Sequence, residues 1–271
     1  MAQIHAAGLA VAIPLLALLY SLHVEPYRLS VTETRVDFFE GAGDGVKVVL
    51  ITDTQTAYDH PDFFARAIDT INAQEPDIIL ISGDIVEGEP GGWKKLGELE
   101  RLRSKNGIYA VLGNHDYIDW RCGIPENERY ADEVEKTLES MGIIVLRNEN
   151  VNLTINGRTF PLAGVDDLWA CKSDYDAAIR GAGEPMIILA HNNLAAKDAK
   201  EGSLVLSGHT HCGQVDVPII TDLIVESLDF GKTKRGLGKT AGGAQLYVSC
   251  GLSPGGIRLF APPEISVIYL E

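Results

Sequence analysis

Val46-Lys47-Val48-Val49-Leu50-Ile51-Thr52-Asp53-Thr54-Gln55 opens as a run of β-branched and aliphatic residues and stops on a carboxylate. Val and Ile are stiff at χ1 and fit a pleated surface, so residues 46–52 read as a strand. The run is apolar at consecutive positions, which places it in a sheet covered on both faces. The same unit recurs along the chain. Residues 77–82, residues 108–112, Met186–Ala190 and Ser203–Ser207 are further apolar runs, followed by Gly83-Asp84, Gly113-Asn114-His115-Asp116, His191-Asn192-Asn193 and Gly208-His209-Thr210-His211. Between them lie stretches of helical spacing, such as Phe64, Ala67, Ile68 and Ile71, or Val134, Leu138 and Met141. Residues 244–249 and Glu264–Leu270 add strands with little helix between them, so a second sheet is expected and the class is α/β shading to α+β.

The residues just past each of the five strands carry the chemistry. Ligand sites in open α/β sheets gather beyond the carboxyl ends of the strands. Each of these ends delivers a group able to bind a metal. Carboxylates, amides and imidazoles without a thiolate cluster suit Mn, Fe, Mg or Zn. Glycine before Asp84, Asn114 and His209 lets the backbone turn sharply or approach closely. Taken singly, each motif is an ordinary cap, turn or surface histidine. Together they hold four of the seven histidines, all at the same end of expected strands, which argues for one site.

In order and combination, these motifs resemble those of the calcineurin-like metallophosphoesterases, whose signature runs D-x-H, G-D, G-N-H-[DE], a solitary His, then G-H-x-H. The resemblance runs from Val46 to the C-terminus and looks closest to a membrane-associated bacterial branch of that family. Glu25-Pro26-Tyr27-Arg28, Leu146-Arg147-Asn148-Glu149, residues 163–167, Tyr247-Val248-Ser249-Cys250-Gly251-Leu252 and Pro262-Pro263-Glu264-Ile265 also look like that branch. It implies two mixed β-sheets packed face to face and flanked by helices. It implies two divalent metals, one held by Asp53, Gln55, Asp84 and His211 and the other by Asp84, Asn114, His191 and His209, with Asp84 bridging. By the same resemblance a bridging hydroxide attacks phosphorus, His115 contacts the phosphate and protonates the leaving group, and Asp116 orients the His115 ring. The chain departs from the family at Gln55, where His is usual; a neutral amide oxygen is a weaker donor than imidazole, so the first site is expected to be weaker or more tolerant of hard ions. Asn193 stands where Pro is common in the branch, and Cys212 where Gly is common.

The 271 residues carry a formal net charge of −15, which argues against nucleic acid as a partner. Apolar residues at 45% and charged residues at 23% are ordinary for a globular domain. Against that background Lys232, Lys234, Arg235 and Lys239 form a basic, glycine-rich stretch, readable as a rim attracting an anionic substrate or as a solvated loop. Arg258 is a further candidate phosphate contact, and Asp166 and Asp167 are candidate supports of the site. Cys122, Cys171, Cys212 and Cys250 are widely spaced with no C-x-x-C pair, so reduced thiols are expected, and Cys212 reads as redox-sensitive, an extra soft ligand or a small buried residue. Phosphate-loop, serine-elbow and dinucleotide motifs are missing from the sequence.

Residues 4–22 carry no Lys, Arg, Asp or Glu and would span about 28 Å as a helix. A cleaved signal peptide, a membrane anchor and a buried helix compete for it; a signal peptide should open on basic residues and end at a small-x-small site, and this segment does neither. The expected organisation is a hydrophobic membrane anchor or uncleaved signal-like helix over 1–24, a connector over 25–45 and the metallophosphoesterase domain over 46–271. Arg28 and Arg35 after the segment weakly place the domain in the cytoplasm. The resemblance, together with the expected anchor, implies hydrolysis of a phosphodiester or pyrophosphate, on a lipid-linked substrate such as a UDP-diacylglucosamine-like pyrophosphate. Its rivals are a broad phosphodiesterase for soluble nucleotides or glycerophosphodiesters, and a catalytically weak metal-binding scaffold.

Overall fold

The computed structural model describes residues 2–40, 43–55, 57–118, 122–227 and 231–271. Gly41 and Ala42, in the turn-rich part of the expected connector, lie outside them, as does Met1. Among the described residues twelve strands form two six-stranded sheets, ordered β1-β12-β2-β3-β4-β5 and β10-β11-β9-β8-β7-β6. In the first, β1 (Ser30–Val36) pairs parallel to β12 (Glu264–Leu270), which runs antiparallel to β2 (Val46–Ile51); β3 (Ile78–Ser82), β4 (Ile108–Val111) and β5 (Ile143–Val145) continue in parallel. In the second, β7 (Arg158–Val165), β8 (Met186–Ala190), β9 (Ser203–Ser207) and β11 (Gln245–Val248) are parallel, with β6 (Glu149–Ile155) and β10 (Gly236–Lys239) antiparallel at the edges.

Period-two alternation explains how the sheets pack. Val48 and Leu50 face one way and meet Leu162, Ile187, Leu189, Leu204 and Leu206 of the other sheet in a shared core. Val49 and Ile51 face the other way, onto Phe64, Ala67, Ile68 and Ile71 of α2 (Pro61–Ala73) and Val134 and Leu138 of α3 (Pro125–Ser140). The outer face of the second sheet is covered from Ala178 of α4 (Tyr175–Ala178) and from Ala196 and Ala199. The expected two mixed sheets flanked by helices are therefore present, and the stretch read as a connector contains the edge strand β1.

α1 (Ala2–His23) forms over the uncharged N-terminal run. Among the described residues no helix is long and apolar enough to cross a membrane. The expected single span and the membrane anchoring built on it are thereby corrected, and the cytoplasmic placement loses the span from which it was read. The end of the helix is built into the domain: Ser21 and Glu25 are buried, and the Ser21 carbonyl accepts a 3.0 Å hydrogen bond from the Arg258 backbone N–H. Two disulfides correct the expected free thiols. Cys122 joins Cys171 and Cys212 joins Cys250, across sequence separations of 49 and 38, because the fold brings their Cα atoms to 5.4 and 4.8 Å.

Candidate metal centre

The ends of β2, β3, β4, β8 and β9 converge. Backbone bonds stitch the first two together: Asp53 N–H donates to the Gly83 carbonyl and Thr54 N–H to the Asp84 carbonyl, each at 3.0 Å. Asp84 lies at the middle. Its Oδ1 accepts from the His115 backbone N–H at 2.8 Å and its Oδ2 lies 3.1 Å from His191 Nε2. His191 Nδ1 sits 2.7 Å from the Ser82 carbonyl, which fixes the ring so that Nε2 faces the carboxylate. His209 Nδ1 is 3.1 Å from His191 Nε2, and His211 Nε2 is 3.4 Å from Asp53 Oδ1. Ligand atoms of Asp84, His191 and His209 all lie within 4.8 Å of one another.

The local backbone accounts for these approaches. Asp53, Asp84, His209 and His211 all have left-handed φ, between 47° and 70°, a region non-glycine residues occupy at some cost. A Cβ on Gly113 would fall 2.4 Å from Asp84 N and 2.7 Å from His191 Cγ, and one on Gly208 would fall 2.6 Å from Asp53 Oδ2. Glycine at these two positions lets the strand ends meet. Gly251, against the Asp53 side chain, brings in the end of β11.

Burial pushes the Asp84 carboxyl upward, but the charge and hydrogen bond of His191 outweigh it and hold Asp84 below the usual carboxylate range. Burial likewise works against a charged His191, yet Asp84 raises it to about 10. His209 is pushed well below its ordinary value by burial and by the charge of His191. The buried carboxylates of Asp84, Asp53 and Asp167 thus favour positive charge beside them. Asp53 Oδ1 and Asn114 Oδ1 are buried without a hydrogen-bond donor among the described residues. Orphaned acceptors beside two clustered imidazoles and a bridging-placed carboxylate are a donor set that fits divalent ions.

Gln55 is buried at the same place. In the orientation that satisfies its amide, Nε2 donates to the carbonyls of Asp53 and Asp84, 3.1 Å each. It therefore braces the two turns that carry the carboxylates and leaves Oε1 as its only ligand atom. Asp116 corrects the role expected of it. Its Oδ1 accepts from the N–H groups of Ile85 and Val86 and its Oδ2 from Gly113, so it ties two site turns together rather than orienting His115. The charge facing the His115 ring is Glu87, with Oε1 3.7 Å from Nδ1. Trp169, edge-on to His209 at 4.3 Å, also escapes the sequence reading, since no local motif marks either residue.

Asp166 and Asp167 are both buried. Asp166 accepts from Tyr117 Oη at 2.6 Å and from Arg147 Nε at 3.0 Å, which anchors the His115 turn. Arg258 is fully buried rather than at the rim, donating to the carbonyls of Cys250 and Ala261, with burial bringing it down to about 10. Lys234 is held by Asp216 and Asp222, and Arg235 by Asp216. Cys212, Cys250 and Glu264 also cluster, but the two sulfurs are bonded to each other.

The family model for calcineurin-like phosphoesterases matches residues 46–213. An uncharacterized metallophosphoesterase of Helicobacter pylori is 34% identical over 83% of this chain and 60% of its own length. The phosphodiesterase YaeI of Escherichia coli is 29% identical over 93% of this chain and 92% of its own, and the metallophosphoesterase YkuE of Bacillus subtilis 29% over 93% and 89%. The chain spans little more than half the length of several curated relatives, including 54% of one from Caenorhabditis elegans. With the strand-end motifs gathered at one centre, and the family model covering more than half of the sequence, this chain belongs to the calcineurin-like phosphoesterase family.

Proposed function

We propose that the chain is a metal-dependent hydrolase of phosphoric esters, a phosphodiesterase or pyrophosphatase with two divalent ions per chain. The observation that carries this reading is the cluster of Asp84, His191 and His209 with ligand atoms within 4.8 Å. Asp53, Gln55, Asp84 and His211 would hold one ion, and Asp84, Asn114, His191 and His209 the other. Bound there, the ions supply polarisation of a phosphoryl oxygen and a lowered pKa for water. The chain's own residues do the rest. Asp84 sets the spacing of the ligands on either side of it. His115, partly exposed with Glu87 facing Nδ1, holds a proton for the leaving oxygen.

The proposed substrate is lipid-linked, such as a UDP-diacylglucosamine-like pyrophosphate. Supporting this is a cavity of about 340 Å³ bounded by His209 and His211 and lined by Val215, Val217, Ile220, Ile224 and Val225. A hydrocarbon arm fits such walls, and α5 (Ile220–Ser227) extends them outward with exposed Leu223.

The test is hydrolysis of bis(p-nitrophenyl) phosphate after chelation and re-addition of Mn, Fe, Zn or Mg. Metal-dependent turnover abolished by Asp84→Asn supports the reading; turnover indifferent to both overturns it. His115→Asn should cost about 10²-fold or more with a poor leaving group and less with p-nitrophenolate. Equal rates on lipid-linked and soluble diesters would remove the lipid assignment.

A further inference from the structure

The basic stretch read from sequence divides in two. Lys234 and Arg235 are neutralised by Asp216 and Asp222. Lys232 and Lys239 have no ion-pair partner among the described residues, and neither does Lys197. These three lysines line one cavity of about 470 Å³, with Glu226 as the only acidic residue of its lining among the described residues. Such a concentration of unpaired positive charge runs against the −15 of the whole chain.

The cavity is joined to the metal centre by its walls. Asn193, on one wall, is two residues beyond His191 and is buried. The opposite segment lies against it, since a Cβ on Gly231 would be 2.6 Å from Asn193 Oδ1. That segment is tied to the other histidine turn by Thr210 Oγ1, which donates to the Lys234 carbonyl at 2.5 Å. The length of chain that presents His191 therefore also forms one wall around the lysines, and the opposite wall is tied to the turn that presents His209. Ammonium groups on flexible stems act as point charges for phosphate, and several around one space suit a multiply charged anion.

We infer that this cavity is a second anion subsite, which takes a phosphate group of the substrate other than the one being cleaved. The inference rests on the metal-centre reading and narrows its substrates to esters with a further phosphate on one arm. It assigns Lys197, Lys232 and Lys239 to specificity.

The experiment compares the affinity of the metal-loaded full chain for adenosine 3′,5′-bisphosphate and adenosine 5′-monophosphate by titration calorimetry, with bis(p-nitrophenyl) phosphate turnover as a control. The bisphosphate should bind at least about tenfold more tightly. Lys197→Ala/Lys232→Ala/Lys239→Ala should abolish that difference, the corresponding triple Arg variant should keep it, and both should turn over the diester within about twofold of the parent. Raising salt should shrink the difference. Equal affinities in the parent, or a difference that survives in the triple Ala variant, overturn the inference. Absence of diester turnover in the parent would instead count against the metal centre, because the calorimetric comparison needs no catalysis.

Discussion

Asp116 shows how much one side chain holds at this centre. Its two oxygens accept three backbone N–H groups, all buried, at 2.7–2.9 Å. Burial and the nearby Asp84 charge raise its carboxyl to about 7, and what it offers the fold is acceptance of those three N–H groups. Asp116→Ala leaves them unpaired at about 1–3 kcal/mol each, so a loss of at least about 3 kcal/mol is expected in urea unfolding. A loss below about 1 kcal/mol would contradict the bracing role. Gln55 carries the opposite lesson, because its amide is divided between bracing and ligation. Gln55→His should hold Zn or Mn more tightly against a chelator, by about tenfold, while lowering the urea midpoint through the two lost donations. Unchanged metal retention would remove Gln55 from the ligand set.

At the scale of elements, the strands beneath the site were legible because apolar runs covered on both faces leave little ambiguity of type. Met186–Ala190, Ser203–Ser207 and Glu264–Leu270 fall where the sequence puts them. The β6–β7 hairpin was also written locally. Asn156 and Gly157, at φ 51° and 76°, make the two-residue turn, but the polar alternation of β6 hid the strand beside it. Asp77, just before β3, pins three segments by accepting from Lys47 N–H, Lys105 Nζ and Asn156 Nδ2. Burial pushes its carboxyl up, but Lys105 and the Lys47 N–H outweigh that and hold it below 3.8. A depressed carboxylate stabilises above its unfolded pKa and loses that contribution as pH falls through the folded value. The urea midpoint of the parent should thus exceed that of Asp77→Asn at pH 7, and the gap should close below about pH 3.8; a gap independent of pH would contradict this.

For the whole molecule, what sequence could not give is long-range pairing. Cysteines 49 and 38 residues apart carry no spacing signal, and only the assembled sheets bring them together. Cys212 directly follows His211, while Cys250 precedes the Gly251 that packs on Asp53, so their bond ties together two flanks of the metal centre. On the chain-entropy model a closed loop of that length contributes about 4 kcal/mol. Cys212→Ser/Cys250→Ser should therefore unfold at a markedly lower urea midpoint than the parent, and an unchanged midpoint would deny the bond that stabilising role. The glycines and histidines of the centre were legible because metal chemistry restricts residue type. Glu87 and Trp169 were not, because their roles depend only on where other elements place His115 and His209.

The most direct test of the centre is the number of metal ions bound per chain, measured by plasma mass spectrometry after loading and desalting, for the parent and for Asp84→Asn. Close to two ions are expected in the parent and well under one in the variant, since on the proposed reading Asp84 bridges both ligand sets. Equal metal content in the two proteins would contradict a centre built around Asp84.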